Sequence, residues 1–190
     1  MIDISSEIRA KPSPLVIAHR GGAGLRPEST LAAINHACAL GADGVEVDVH
    51  LSADGQVVVH HDYQLRPAAT RREGQWIKGP GPLVKDLTFA ELQRYDVGAV
   101  KSASSLARDL PELISCDGER IPLLSDVMSR IRKAGNMCLL VEMKSEPAAG
   151  AAATPPRILA EHVAEVLLKE DMVDQTIVVG FDWRGLERLG

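Results

Sequence analysis

The stretch D-G-V-E-V-D-V-H-L-S-A-D-G-Q-V-V-V-H-H-D, residues 43–62, decides the fold. Two Val-rich runs flank Asp54-Gly55, and Asp-Gly between alternating runs is the strongest short-range hairpin signal. So short a connector rules out a parallel crossover, so the two runs pair antiparallel. With Asp54 and Gly55 as the two loop residues, Ala53 faces Gln56 and Asp48 faces His61. Glu46 shares that face, because strand side chains repeat every two residues. Directly opposed Cβ atoms lie about 4.5–5.5 Å apart, and diagonal neighbours about 7–8 Å. Two carboxylates and an imidazole then converge on one small volume. Taken alone, the hairpin reads equally well as a solvated acidic edge. The same register turns His60 to the opposite face with Val49, as a packed or capping histidine. It leaves His50 on the functional face, further toward the turn.

Upstream of the hairpin, L-V-I-A at 15–18 reads as a strand buried on both sides, delivering His19-Arg20-Gly21-Gly22 at its carboxyl end. Pro27, Glu28, Ser29 and Thr30 supply helix-start chemistry, and Leu31, Ile34 and Cys38 share a helical face before Gly41. Downstream, residues 63–121 are richer in Pro, Gly and Arg. Thr88 and Glu91 form a capping box, with Leu87 and Leu92 as hydrophobic staple, for a short helix to about Asp96. The remainder reads as loop, and so long a segment is expected to be a lid-like inserted subdomain. Ser125 is placed as the cap of a helix through Lys133 that ends at Gly135. Cys138 to Glu142 is the next strand, followed by Met143 and Lys144. Residues 145–156 have linker composition and read as a mobile loop. A helix starting at Thr154 and Pro155 carries Ile158, Leu159, Val163, Val166 and Leu167. Thr176 to Val179 forms another strand, and Asp182 caps a helix over 183–190.

Strands alternating with helices of this length specify an α/β fold with a parallel sheet. His19, the Glu46/Asp48 pair, the Glu142/Lys144 pair and Asp182 all fall near strand carboxyl ends. That end carries the active site in a TIM (β/α)₈-type barrel, and ligands bind there in open sheets as well. G-G-A-G after His19-Arg20 lacks the dinucleotide-binding spacing, so a barrel is preferred.

The 190 residues carry a net charge of −5, 45% hydrophobic residues and 3% aromatics. One domain with a substantial core fits that length. The acidic balance and the shortage of aromatics argue against a nucleic-acid partner. Cys38, Cys116 and Cys138 show neither zinc spacing nor a disulfide framework, which fits a reducing compartment. The opening residues carry no apolar leader, and no run reaches the ~18 residues of a membrane span, so a soluble cytoplasmic protein is expected.

These motifs together resemble one family. A-H-R-G-G-A-G-L-R-P-E-S-T at 18–30 is similar to the opening signature of the glycerophosphodiester phosphodiesterases. So are residues 41–62, I-P-L-L-S-D-V at 121–127 and V-E-M-K at 141–144. The resemblance implies His19 and His61 as the acid–base pair, and Glu46, Asp48 and Glu142 as holders of a divalent cation. It implies Arg20 and Lys144 as contacts to the phosphodiester, Glu28 in a supporting role beside them, and the 63–121 segment as the cover of the site. The family usually has Asn where this chain has Ser29. Its barrel also continues past the strand ending near Phe181, so the chain is expected to be the N-terminal portion: about four barrel strands, the hairpin and the small insert. Three carboxylates form an oxygen-only site that suits Mg²⁺ or Ca²⁺. The expected reaction is metal-dependent hydrolysis of a small glycerophosphodiester to sn-glycerol 3-phosphate and an alcohol. The competing readings are a related phospholipase-type barrel acting on intact lipid or a cyclic phosphodiester, and a non-catalytic phosphate-binding module.

Overall fold

The computed structural model describes residues 13–135 and 137–190, so the reading of the first twelve residues as lacking a leader lies outside the described residues. Strand β1 (Ile17–His19) leads to helix α1 (Leu31–Leu40). Thr30 caps α1 by accepting from the Ala33 N–H, and Gly41 ends it in the left-handed region. The hairpin follows as β2 (Gly44–Leu51) and β3 (Val57–Val59). Within 63–121 come β4 (Arg71–Arg72), β5 (Gln75–Trp76), α2 (Phe89–Leu92), β6 (Tyr95–Asp96) and α3 (Ser105–Asp109). The chain continues through α4 (Leu124–Ala134), β7 (Cys138–Met143), α5 (Pro156–Lys169), β8 (Thr176–Gly180) and α6 (Trp183–Leu189).

Four strands lie side by side in the order β1-β2-β7-β8, all parallel, and β3 joins β2 antiparallel. These are the four strands expected from the apolar runs. Every residue of β2 is buried, since β1 and β3 flank it on one side and β7 on the other. The close approach at its start needs Gly44, where a Cβ would lie 2.4 Å from the Cys138 sulfur. Val45, Val47 and Val49 of β2 pack with Leu139 and Val141 of β7 and with Ile34, Val127, Ile131, Leu159 and Val163 from the helices.

The sequence expectation for β1 is half met. Its residues are half-buried or exposed, because β2 is its sole strand partner among the described residues. The hairpin register also differs by one residue. His50 pairs with Val58 and Val49 with Val59, and the Ser52 N–H donates to the Gln56 carbonyl. The loop is therefore Ala53-Asp54-Gly55, closed with Gly55 at φ 79°, a three-residue turn that Asp-Gly serves as well as the two-residue one. Asp48 does not face His61: its carbonyl accepts from the His60 N–H. The α4 cap is corrected too, from Ser125 to Leu123, whose N–H donates to the Asp126 carboxylate at 3.1 Å.

The 63–121 segment is more than loop. β5-β4-β6 form a small antiparallel sheet, and Leu65, Val84, Leu92, Tyr95, Val97 and Ile121 form a second apolar cluster against Val58. The capping box at Thr88 and Glu91 is present, but its helix ends at Leu92, not near Asp96, because Tyr95 and Asp96 pair with β4. Residues 147–152 wind into a 3₁₀ turn kinked at Gly150 instead of running as an open loop.

Candidate active site

The two sequence-distant histidines follow strands that pair along one edge of β2. β1 runs upward to pair His19 with Glu46, while β3 runs downward and its extension brings His60 to the Asp48 carbonyl. The chain ends of β1 and β3 thus converge over the Glu46–Asp48 span, about 7 Å long at 3.3 Å per residue. His61 reaches this region as the first residue after the ladder opens, and its charge acts on Asp48. Its position follows from that exit, not from the expected cross-strand pairing.

Glu46, Asp48 and Glu142 each present an oxygen within 4.8 Å of the others. The register explains the cluster: Asp48 of β2 lies beside Glu142 of β7, and Glu46 is two residues from Asp48 on the same face. Asp48 is 2% exposed, and burial followed by the Glu46 charge pushes its carboxyl up to about 7, against the pull of His61, Lys144 and Arg20. Glu46 Oε1 and Asp48 Oδ2 are buried without a hydrogen-bond partner. Two buried carboxylate oxygens that accept no hydrogen bond, with a third carboxylate beside them, fit a hard divalent cation.

Arg20 and Lys144 bracket the cluster. The Arg20 N–H donates to Glu46 Oε2 at 2.9 Å, its Nε lies 3.5 Å from Asp48 Oδ2, and its Nη1 donates to Glu28 Oε2 at 3.0 Å. Arg20 holds φ at 52°, a left-handed backbone that non-glycine residues seldom adopt, and this turns the chain back over the acidic face. Lys144 donates to Glu142 and Glu146, both at 2.9 Å, and lies 3.8 Å from Asp48. Only 5% exposed, it is no surface ion pair. Burial pulls its pKa down, yet the hydrogen bonds to Glu146 and Glu142 prevail and hold the ammonium above its ordinary range. His19 Nε2 lies 3.8 Å from Glu46 on the open side, its side chain 68% exposed.

On the other flank, His61 and Lys144 line a groove of about 610 Å³ together with Tyr63, Arg66 and Glu146. The Tyr63 hydroxyl accepts from the Glu146 N–H at 3.0 Å, joining the 63–121 segment to the turn after β7. His50, the weaker candidate, is buried with its ring on the His61 carbonyl at 3.2 Å, and burial followed by the His60 charge pulls its pKa down to about 3. It stays neutral and supports the bend at His61. His60 is half-buried with its Nε2 out of solvent, in a small cavity with Glu28 and Thr70, as a packed histidine. Asp182 caps α6, accepting from the Arg184 N–H. Sequence reading missed Asp62, Tyr63, Arg66 and Glu146. For Asp62 and Arg66 the available signal was a carboxylate adjacent to His61 and a cation four residues on.

Comparison with known proteins places this geometry in context. Residues 19–189 match the glycerophosphoryl diester phosphodiesterase family. A glycerophosphodiester phosphodiesterase of Caldanaerobacter subterraneus is 41% identical over 117 residues, which are 62% of this chain and 40% of that protein. A Silicibacter pomeroyi crystal structure superposes with a TM-score of 0.87 at 31% identity, covering 97% of this chain and 64% of that one. An Oleispira antarctica phosphodiesterase, solved with its product sn-glycerol-3-phosphate, gives 0.69 at 30% identity over 92% and 60%. The chain spans less than two thirds of the length of each of these proteins.

Proposed function

The chain belongs to the glycerophosphoryl diester phosphodiesterase family, and from that premise we propose that its site hydrolyses small glycerophosphodiesters to sn-glycerol 3-phosphate and an alcohol. The observation that carries the reading is the Glu46–Asp48–Glu142 cluster, its first two members buried, with Arg20 and Lys144 against it. In this reading the sheet is a segment of a (β/α)₈-type barrel, and the 63–121 segment covers the carboxyl ends of its strands. Three widely spaced cysteines with no disulfide framework in the sequence support a cytoplasmic setting.

A Mg²⁺ or Ca²⁺ ion held by Glu46, Asp48 and Glu142 would neutralise phosphoryl oxygens and orient the attacking oxygen. The remaining work falls to this chain's own side chains. Arg20, held by Glu28 and Asp48, presents a planar fork of donors suited to two phosphate oxygens. Lys144, buried and fixed on Glu142 and Glu146, adds a point charge where negative charge develops. One of His19 and His61 takes the proton of the attacking oxygen while the other protonates the departing alkoxide, with imidazoles suited to both steps near neutrality. Phosphodiesters resist attack because the nucleophile meets negative charge, and Arg20 and Lys144 lower that barrier from two sides.

The test is release of sn-glycerol 3-phosphate from glycerophosphocholine by the purified protein, with and without chelator. The expected result is chelator-sensitive turnover that falls about 10²–10⁴-fold in His19→Gln and in His61→Gln. Release that survives chelation, or that persists at full rate in both variants, overturns the reading.

A further inference from the structure

Resting on that reading of His61, we infer that Asp62 and Arg66 form a positioning pair, in which Asp62 fixes the proton of His61 on Nδ1 and Arg66 fixes Asp62. His61 Nδ1 lies 2.6 Å from Asp62 Oδ1. The other carboxylate oxygen, Oδ2, accepts from Arg66 Nε at 2.7 Å and lies 2.5 Å from its Nη2. Each oxygen therefore has one partner. Arg66 Nη2 also lies 3.9 Å from Glu28 Oε1, and the second oxygen of Glu28 accepts from Arg20. One chain of charges thus runs from His61 through Asp62, Arg66 and Glu28 to Arg20, on the acidic cluster.

A plain ion pair four residues apart is the alternative, and on an exposed surface such a pair contributes little. The geometry goes beyond that. The guanidinium donates to one carboxylate oxygen through Nε, keeps Nη2 against it, and leaves the other oxygen to the imidazole. The hydrogen bond from His61 and the guanidinium together hold the Asp62 carboxyl well below the usual carboxylate range, in spite of its burial. A permanent acceptor at Nδ1 leaves Nε2 as the nitrogen that gains and loses the proton. Glu28 acquires its role here: it joins the arginine of the β1 turn to the arginine of the 63–121 segment.

Arg66 has only donors, and this makes the inference sharply testable. In Asp62→Asn the guanidinium selects the amide orientation that offers it the oxygen. The NH₂ group then faces His61 Nδ1, which must accept, so the ring proton moves to Nε2. Removing the guanidinium as well frees the amide to turn its oxygen back to Nδ1. The experiment is long-range ¹H–¹⁵N spectroscopy of the histidine rings at alkaline pH, with His61 assigned by loss of its signals in His61→Gln. The expected tautomers are Nδ1–H in the wild-type chain and Nε2–H in Asp62→Asn, with Nδ1–H recovered in Asp62→Asn combined with Arg66→Ala. In turnover, Asp62→Asn lowers kcat by about 10²-fold or more with KM nearly unchanged, and the double substitution is faster than the single one. An Nε2–H tautomer in the wild-type chain overturns the inference by itself, whether or not any variant folds. So does a double variant with the spectrum of Asp62→Asn. The tautomers are read without turnover, so an inactive chain would count against the phosphodiesterase reading and leave this one to its spectra.

Discussion

The parallel sheet and the 63–121 segment meet at the same site but are built by opposite means. The sheet fixes Glu46, Asp48 and Glu142 by backbone register: β2 is hydrogen-bonded along both edges, and its side chains cannot shift without breaking the ladder. The 63–121 segment has strands of two residues, and scattered side-chain and backbone hydrogen bonds hold it in position. Asp54 of the hairpin loop accepts from the Phe89 N–H, and the Ala53 N–H donates to the Leu87 carbonyl. Arg71 bridges Asp96 and Asp117, and Tyr63 takes the Glu146 N–H. β3 belongs to both regions, since Val57 and Val59 face the main core while Val58 faces the second cluster. The lesson is a division of labour. Rigid backbone places the anionic oxygens, whereas His61 and Asp62 lie on the chain leaving β3 and are tied by Arg66 to the separately packed segment.

The largest expected effects come from emptying each core in turn. Leu139 of β7 and Leu92 of α2 are both fully buried, one in each cluster. Substituting either by Ala should cost about 2–5 kcal/mol, from lost transfer energy plus the cavity left behind. The comparison predicts different ranges of damage. In Leu139→Ala, hydrogen-exchange protection should fall across the whole sheet. In Leu92→Ala, it should fall within 63–121 while β2 and β7 stay protected. Equal loss of protection everywhere in both variants would make the two regions one cooperative unit and erase the division drawn above.

The acidic cluster gives the next effect, through pH. The folded-state pKa of Asp48, about 7, lies above its ordinary value of 3.8, so between those values the folded chain holds a proton that the unfolded chain has released. Without a cation, stability should therefore decline as pH rises from about 4 to about 7 and level off above. A divalent cation competes with that proton. Its affinity should weaken by about tenfold for each pH unit below 7, or about 2.7 kcal/mol between pH 7 and pH 5. Calorimetric titration with Mg²⁺ and with Ca²⁺ at pH 8, 7, 6 and 5 checks the slope. Asp62, on the other region, is held as a carboxylate by its partners and should add nothing to it in this range. An affinity independent of pH would mean that Asp48 is not among the ligands.

The two regions also differed in how far the sequence revealed them. The Val-rich run of β2, the apolar runs of β7 and β8, and the capped, amphipathic helices announced themselves by composition and period, because long buried elements need many residues of one kind. Carboxylates on the inner strands were legible for the same reason: alternation assigns them a face. The hairpin register was not, because Ser52 extends the turn by bonding both Asp54 and the Gln56 N–H, and Asp-Gly suits either loop length. Two-residue strands such as Arg71–Arg72 have no period to detect. Nothing local reveals that Tyr95 and Asp96 leave their helix to pair with β4. The contacts of Asp62 were hidden differently, since its oxygens are engaged by one residue beside it in sequence and another four positions on, in irregular backbone.

The smallest expected effect lies at Ser29, where the chain departs from the family's usual Asn. The residue is 3% exposed, its φ is 58°, and its hydroxyl oxygen is buried without a hydrogen-bond partner. Its N–H donates to the Arg20 carbonyl at 3.0 Å, so it helps hold the turn that carries Arg20 over the acidic face. A left-handed conformation costs an ordinary residue about 1–2 kcal/mol, and Asn adopts it more readily because its short amide can hydrogen-bond locally. Ser29→Asn should therefore stabilise the chain by about 0.5–1 kcal/mol, read as a shift in the urea midpoint with unchanged slope. Because the strain sits on the β1 side of the site, the substitution should leave hydrogen-exchange protection within 63–121 as it was. A destabilised Ser29→Asn chain would show that the buried space around residue 29, and not its backbone angle, sets the preference for the smaller side chain.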